Sequence, residues 1–354
     1  MFGCQEEELS FQEQFDLQVQ EILEKNRIPS FATSLLRGDS IYWQGYYASH
    51  EDWLTSQTTI YNVASVSKLV TATAVMQLVE QGMLSLDSGI NNYLDFEVIS
   101  PFYQEDTITL HMLMTHRSGM SWPRSEDVPG YYDPYPNESA PELGTWLKSF
   151  LGTEKAWNNT RPGVIDGYSN HGAALLGYVV ESVTGQDFRA YCQEHIFDPL
   201  EMRNTQFSYD YFNSSNELAI PYSLGYKYSV PYYPASTLKT SIEDFSKLML
   251  AYSGYGKYGD TRILEQSTVR QMLTVQNNGS SYGLMWRQQG RGFGHAGAFY
   301  DATSFVDINP ITKLGFIGFI NMTQWEISDP NLVYPRGALY ELVKAHYEYL
   351  KEVE

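Results

Sequence analysis

Strand-like runs stand at both ends of this chain with a long stretch of helix and loop between them, and that order restricts the fold most. Residues 31–36 and 41–47 flank Arg37-Gly38-Asp39-Ser40, which predicts a hairpin. Residues 282–287, 303–308 and 314–321 read as three more strands, the last two joined by a turn at Asn309-Pro310-Ile311-Thr312. Helical periodicity marks 7–27, ended by Pro29, and 336–352. Between the strand groups, 110–113, 142–150, 172–184, 187–196 and 242–252 also read as helix. The implied fold is α/β of the α+β type: one antiparallel sheet built from both termini, flanked by helices, with an inserted, mainly helical lobe. One lobe then takes 12–62 plus 280–352 and the other 63–279, behind a tail at 1–11. The cleft is expected where the lobes meet. Residues 121–141, rich in Pro, Tyr, Asp and Ser, read as a long ordered loop that overhangs it.

With 354 residues, 43% of them hydrophobic, the chain can bury a large core. The 42 acidic against 23 basic residues give a net charge of −19, which argues against nucleic acid and anionic membrane surfaces as partners. The two cysteines, Cys4 and Cys192, have no metal-site spacing, and the seven histidines form no metal-binding pattern. No structural metal is expected. No apolar run is long enough to span a bilayer, and no complete signal peptide is present. Met1-Phe2-Gly3-Cys4 resembles the end of a bacterial lipoprotein signal, which makes Cys4 a candidate lipid anchor; an ordinary N-terminal cysteine fits the same residues.

Ser65-Val66-Ser67-Lys68 opens a pattern that reads as a strongly amphipathic helix to about residue 82. At i and i+3 the serine and lysine share a helix face. A desolvated lysine loses basicity and can take the serine proton near neutral pH. The serine also sits at the helix start, where outward N–H groups favour negative charge. Ser236-Thr237-Leu238-Lys239 repeats the spacing, and an N-cap serine followed by a solvated lysine explains either match equally well. Tyr168-Ser169-Asn170 lies on a short loop before a buried helix, a setting that can hold a phenol rigidly. Asn170 offers an amide to a lysine or a substrate carbonyl. His295-Ala296-Gly297 falls where an inner strand should begin; Gly297 lets a ligand approach the strand, and the N–H of Ala298 is a candidate oxyanion donor beside that of Ser65. A loop histidine with one local hydrogen bond is the plainer reading of His295.

In this order, Ser65-x-x-Lys68, Tyr168-x-Asn170 and His295-x-Gly297 resemble the motif set of the serine β-lactamase and penicillin-binding-protein superfamily. The nearest branch is that of class C β-lactamases, D-Ala-D-Ala carboxypeptidases and family VIII esterases. Thr107 to Met120, residues 161–206 and Tyr282-Gly283-Leu284-Met285-Trp286 also resemble segments of that group. The likeness covers about residues 12–350, read as a single catalytic domain. It implies a serine hydrolase without cofactor or metal, acting through an acyl-enzyme on small esters, D-amino-acid peptides or, weakly, β-lactams. Ser65 is then the nucleophile, Lys68 and Tyr168 the proton carriers, and Asn170, His295, Gly297 and Ala298 the substrate and oxyanion contacts. Classical β-lactamases of the group carry Lys-Thr-Gly where this chain has His295-Ala296-Gly297, which turns the expectation toward esters and D-peptides. An acyltransferase of the same fold and a penicillin-binding sensor that acylates and stops are the alternatives. The resemblance points to the bacterial periplasm or envelope, with the cytoplasm left open and the oligomeric state unspecified.

Overall fold

A computed structural model of the chain describes residues 9–50, 53, 55–122, 133–212, 218–219, 225–300, 302–323 and 335–352. Cys4 and residues 123–132 of the expected overhanging loop lie outside these. Helix α1 (Phe11–Asn26) starts at a capping box in which Ser10 and Glu13 satisfy each other's backbone N–H groups. It ends at Arg27 in the left-handed region, whose N–H bonds Glu24 O, so the chain has left the helix before Pro29. Then come β1 (Ser30–Arg37), β2 (Ser40–Ala48) and the short β3 (Ile60–Asn62). The helical middle holds α2 (Ser67–Glu80), α3 (Leu110–Met114), a short β4 (Tyr135–Pro136), α4 (Leu143–Leu151), α5 (Asn170–Thr184) and α6 (Phe188–Cys192). The stretch 187–196, expected as one α-helix, widens after Cys192 into a π-helical turn, Gln193–Phe197. There follow β5 (Tyr228–Ser229), β6 (Lys239–Ser241), α7 (Ile242–Ser253), β7 (Lys257–Tyr258), β8 (Thr261–Arg262) and α8 (Gln266–Met272). The chain returns to the sheet with β9 (Arg287–Gln289), β10 (Gly292–Phe299), β11 (Ala302–Asn309) and β12 (Leu314–Ile320), then α9 (Pro335–Glu352).

The main sheet runs β2-β1-β12-β11-β10-β9 and is antiparallel throughout, as expected for a sheet made from both termini. Phe31 pairs with Ile320, and Asn321 Oδ1 accepts hydrogen bonds from the N–H and hydroxyl of Ser30, 291 residues away. One sheet face is covered by α1 and α9, where Phe15, Val19 and Leu23 meet Leu339, Val343, Phe305 and Phe316. Against the other face lies α7, whose Phe245 packs edge-on against Phe319 at 5.7 Å. The helical middle forms one apolar core with that face.

Two expectations are corrected. Helix α2 is not amphipathic: every residue from Ser67 to Leu78 is buried. Its polar residues, which suggested a wet face, bond inside the protein. Thr71 donates to Pro234 O at 2.7 Å, Thr73 to Leu69 O at 2.8 Å and Gln77 to His195 O at 3.0 Å. Second, residues 282–286 do not form a strand. Met285 sits at φ 62°, its N–H bonds Met114 O, and Gly283 N–H bonds Trp286 O, so these groups fold back on loop and helix instead of a ladder. The strand begins only at Arg287.

Candidate active site

From Thr59 to Leu78 every residue is buried except Ser65. Solvent therefore reaches this segment at the proposed nucleophile alone. Ser65 lies in a 3-10 turn, Ala64–Val66, one turn ahead of α2, slightly before the helix start that its sequence suggested. Ala64 is in the left-handed region at φ 47°, a conformation that costs an alanine about 1–2 kcal/mol. The surroundings hold it there. Asn62 Oδ1 accepts from Ala64 N–H (2.9 Å), Ser67 Oγ donates to Ala64 O (2.5 Å), and Ser304 Oγ of β11 donates to Val63 O (2.6 Å). Strain stored in a turn that its neighbours over-determine marks a functional position.

Lys68 is fully buried, and its Nζ has three neighbours: Asn170 Oδ1 at 2.8 Å, Ala235 O at 2.7 Å and Ser65 Oγ at 3.2 Å. Burial holds the amine well below its ordinary pKa. A neutral amine has two N–H donors and one lone pair. The amide oxygen and the carbonyl can only accept, so they take both donors, and the lone pair is left for the Ser65 hydroxyl. Asn170 is in place because it opens α5 behind the N-cap Ser169, whose Oγ accepts from Gly172 N–H. Tyr168 immediately precedes that cap. Its ring stands 4.8 Å from Lys68 Nζ, and burial raises its phenol above the ordinary range while a hydrogen bond with Ser65 pulls it back.

His295 lies on β10, buried, its ring centroid 6.2 Å from that of Tyr168. Its Nδ1 lies 2.8 Å from Ala296 O, and since a carbonyl only accepts, the proton sits on Nδ1 and Nε2 carries the lone pair. Burial above all pushes its pKa down to about 3. Gly297 packs β10 directly against the serine turn. A Cβ there would lie 2.5 Å from Ser304 Oγ, 2.7 Å from Val63 O and 2.9 Å from Ala64 Cβ. Gly297→Ala is therefore expected to lower kcat/KM by about 10²-fold, because a displacement near 1 Å is enough for such a loss. Steady-state kinetics on a soluble ester check this, with a melting curve to show that the variant is folded. Ala298 follows, in register with Thr303.

The second serine–lysine pair is not assembled. Lys239 points to Phe207 O at 2.6 Å and to the face of Tyr209 at 4.1 Å, and Ser236 is buried just after the 3-10 turn Tyr233–Ala235. Ser241 caps α7 by accepting from Asp244 N–H. Three residues near the centre went unnoticed in the sequence: His116, Trp122 and Arg287. Trp122 is half-exposed with its ring 4.9 Å from that of Tyr168, and Arg287 faces Gly294 across the β9–β10 pair. Among the described residues no group of three His, Cys, Asp or Glu can hold a metal, and no helix is long and apolar enough to cross a membrane. Cys192 is a buried free thiol.

The family model described as Beta-lactamase matches residues 15–333. Protein flp of Staphylococcus aureus (strain MW2) is 25% identical over 327 residues, covering 88% of this chain. The chain spans 63% of that relative's length. The octameric penicillin-binding protein homologue from Pyrococcus abyssi superposes with a TM-score of 0.75 at 22% identity, covering 94% of this chain and 78% of the other. The Beta-lactamase/D-alanine Carboxypeptidase from Yersinia pestis does so with a TM-score of 0.73 at 17% identity, covering 94% and 99%.

Proposed function

Since this chain belongs to the Beta-lactamase family, we propose that it is a serine hydrolase acting through an acyl-enzyme on small esters or D-amino-acid peptides, with β-lactams as poorer substrates. Residues 12–350 act as one catalytic domain in this reading. The observation that carries it is the donor count at Lys68: Asn170 Oδ1 and Ala235 O can only accept, so in the free base they take both N–H groups and leave the lone pair to the Ser65 hydroxyl. Ser65 Oγ gives its proton to Nζ and attacks the substrate carbonyl. The N–H groups of Ser65 and Ala298 stabilise the resulting oxyanion. Tyr168 passes a proton to the leaving alcohol or amine as the tetrahedral species collapses to the ester of Ser65. Water then attacks that ester, giving its proton to the Lys68–Tyr168 unit, and Ser65 leaves with a proton restored. Lys68 and Tyr168 share these protons as a coupled pair.

Substrate choice follows from His295. A carboxylate-bearing substrate gains from a permanent cation, and this imidazole is neutral at working pH with a lone pair on Nε2. Neutral esters lose nothing there. The sign is testable. A histidine titrating near 6.5 would favour anionic substrates as pH falls toward 6. With its pKa down to about 3, His295 stays neutral across that range. The ratio of kcat/KM for nitrocefin to that for p-nitrophenyl butyrate is therefore expected to be flat from about pH 5 to about pH 8, and small throughout. A ratio that climbs with a midpoint near 6.5 would overturn the assignment of His295. Nitrocefin turned over far faster than the ester would overturn the substrate class. The same reactions, followed by intact-protein mass, test the chemistry itself: a transient acyl adduct is expected. A permanent adduct indicates a sensor, and transfer of the acyl group to an added amine indicates a transferase.

A further inference from the structure

His116 has no part in the chemistry above, yet it is tied to Tyr168 in three ways. Its carbonyl accepts from Gly167 N–H at 2.7 Å, and its ring Nδ1 accepts from Ser169 N–H at 3.4 Å. The residues on either side of Tyr168 thus bond to one histidine. Its ring lies against the Tyr168 ring, centroids 4.4 Å apart and tilted 35°, and meets Tyr282 edge-on at 5.1 Å on another side. The backbone of His116 is left-handed, φ 56°. The next residue extends the strap: Arg117 O accepts from Gly163 N–H, and the Arg117 guanidinium donates to Val164 O.

We propose that His116 is a positioning residue that fixes the Tyr168 phenol over Ser65 and Lys68 by clasping the peptide on both sides of it. The ring must be neutral to do this. Because Nδ1 accepts from an N–H, its proton sits on Nε2; a second proton on Nδ1 would set two donors face to face and open the clasp. Nε2 is buried with no hydrogen-bond partner among the described residues. An unpartnered buried donor is a cost that a purely structural site would be expected to avoid with an apolar side chain. The groups facing the ring are Lys68 from α2, His295 from β10, Tyr168 and Tyr282, and none is an anion that would favour an imidazolium.

This inference rests on the proposed role of Tyr168, so one readout must be independent of turnover. Two substitutions separate stacking from the clasp. His116→Phe keeps an aromatic ring and loses the acceptor, whereas His116→Asn keeps an acceptor near the Nδ1 position and tolerates a left-handed backbone. His116→Phe is expected to lower kcat by about 10²-fold with KM nearly unchanged, and His116→Asn to recover most of that loss. In a Tyr168→Phe background, His116→Phe should change kcat less than about threefold, since residues acting through one group are not additive. A 3-fluorotyrosine placed at 168 alone should give one narrow fluorine resonance in the otherwise unchanged protein and in His116→Asn, and a broadened or split one in His116→Phe. Equal losses with and without the Tyr168 hydroxyl, or the same single resonance in all three proteins, would overturn the clasp. A clasp seen by fluorine in a protein that turns over no ester or peptide would instead overturn the hydrolase reading and leave the positioning role standing.

Discussion

Ser65→Ala is expected to abolish labelling by a fluorophosphonate and to lower kcat for an ester by about 10⁶-fold, the scale seen when a serine nucleophile is removed from an assembled unit. Ser236→Ala, with the same sequence spacing to a lysine, should leave both unchanged. The contrast comes from geometry. Ser65 is the one unburied residue between Thr59 and Leu78, with a lysine amine 3.2 Å from its oxygen. Ser236 is buried, and Lys239 is turned away to Phe207 O. Peptide mapping of the labelled protein is the measurement. Label on the Ser65 peptide, absent in Ser65→Ala, is the expected result, and label retained in that variant sinks the assignment.

Lys68→Met and Tyr168→Phe should each lower kcat/KM by about 10⁴-fold, the upper end of what a positioned acid or base contributes. If the two acted independently, the double variant would lose about 10⁸-fold. The structure argues for a single proton-handling unit, with the ring of Tyr168 4.8 Å from Nζ and both groups bonded to the Ser65 hydroxyl. The double variant is then expected to fall within about tenfold of the worse single one. Additive losses in log kcat/KM would refute the unit. The pH dependence has a fixed sign. Burial lowers the pKa of Lys68 well below that of an ordinary lysine, which favours the free base that can accept the Ser65 proton. Ester turnover should therefore hold on the alkaline side and fall only as acid protonates Nζ.

How much of this the sequence revealed depended on whether the signal was local. The β1–β2 hairpin, the β11–β12 turn and the helix α5 are written in short-range periodicity and turn residues, and they were legible. So were the three motifs, because each is a compact string whose members meet through local geometry. The all-round burial of α2 was not legible. Thr71, Thr73 and Gln77 look like a wet face until Pro234 O, the Tyr252 hydroxyl and His195 O, partners supplied by chain far away, are known. Nor was the break at 282–286, where alternation predicts a strand but Met285 bonds Met114 instead. His116 escaped for a related reason. It lies in a segment that resembled the superfamily, but its value is a contact with Gly167 and Ser169 that no string of neighbours encodes. The neutrality of His295 likewise comes from burial, which no adjacent residues encode.

The sheet that joins the two ends of the chain also sets a schedule for synthesis. β1 and β2 leave the ribosome first, but the free edge of β1 waits for β12, and Ser30 waits for Asn321, 291 residues later. Meanwhile Phe31 and Leu35 have α1 beside them but lack Phe305, Phe316, Leu339 and Val343, and an unpaired strand edge invites association with other nascent chains. Such distant pairings close slowly. The wall of the serine turn made by Gly297 and Ser304 also arrives late, on β10 and β11. A nascent chain that already contains Ser65, Lys68 and Tyr168 would accordingly be inert, and its chemistry would switch on only after the final strands have docked.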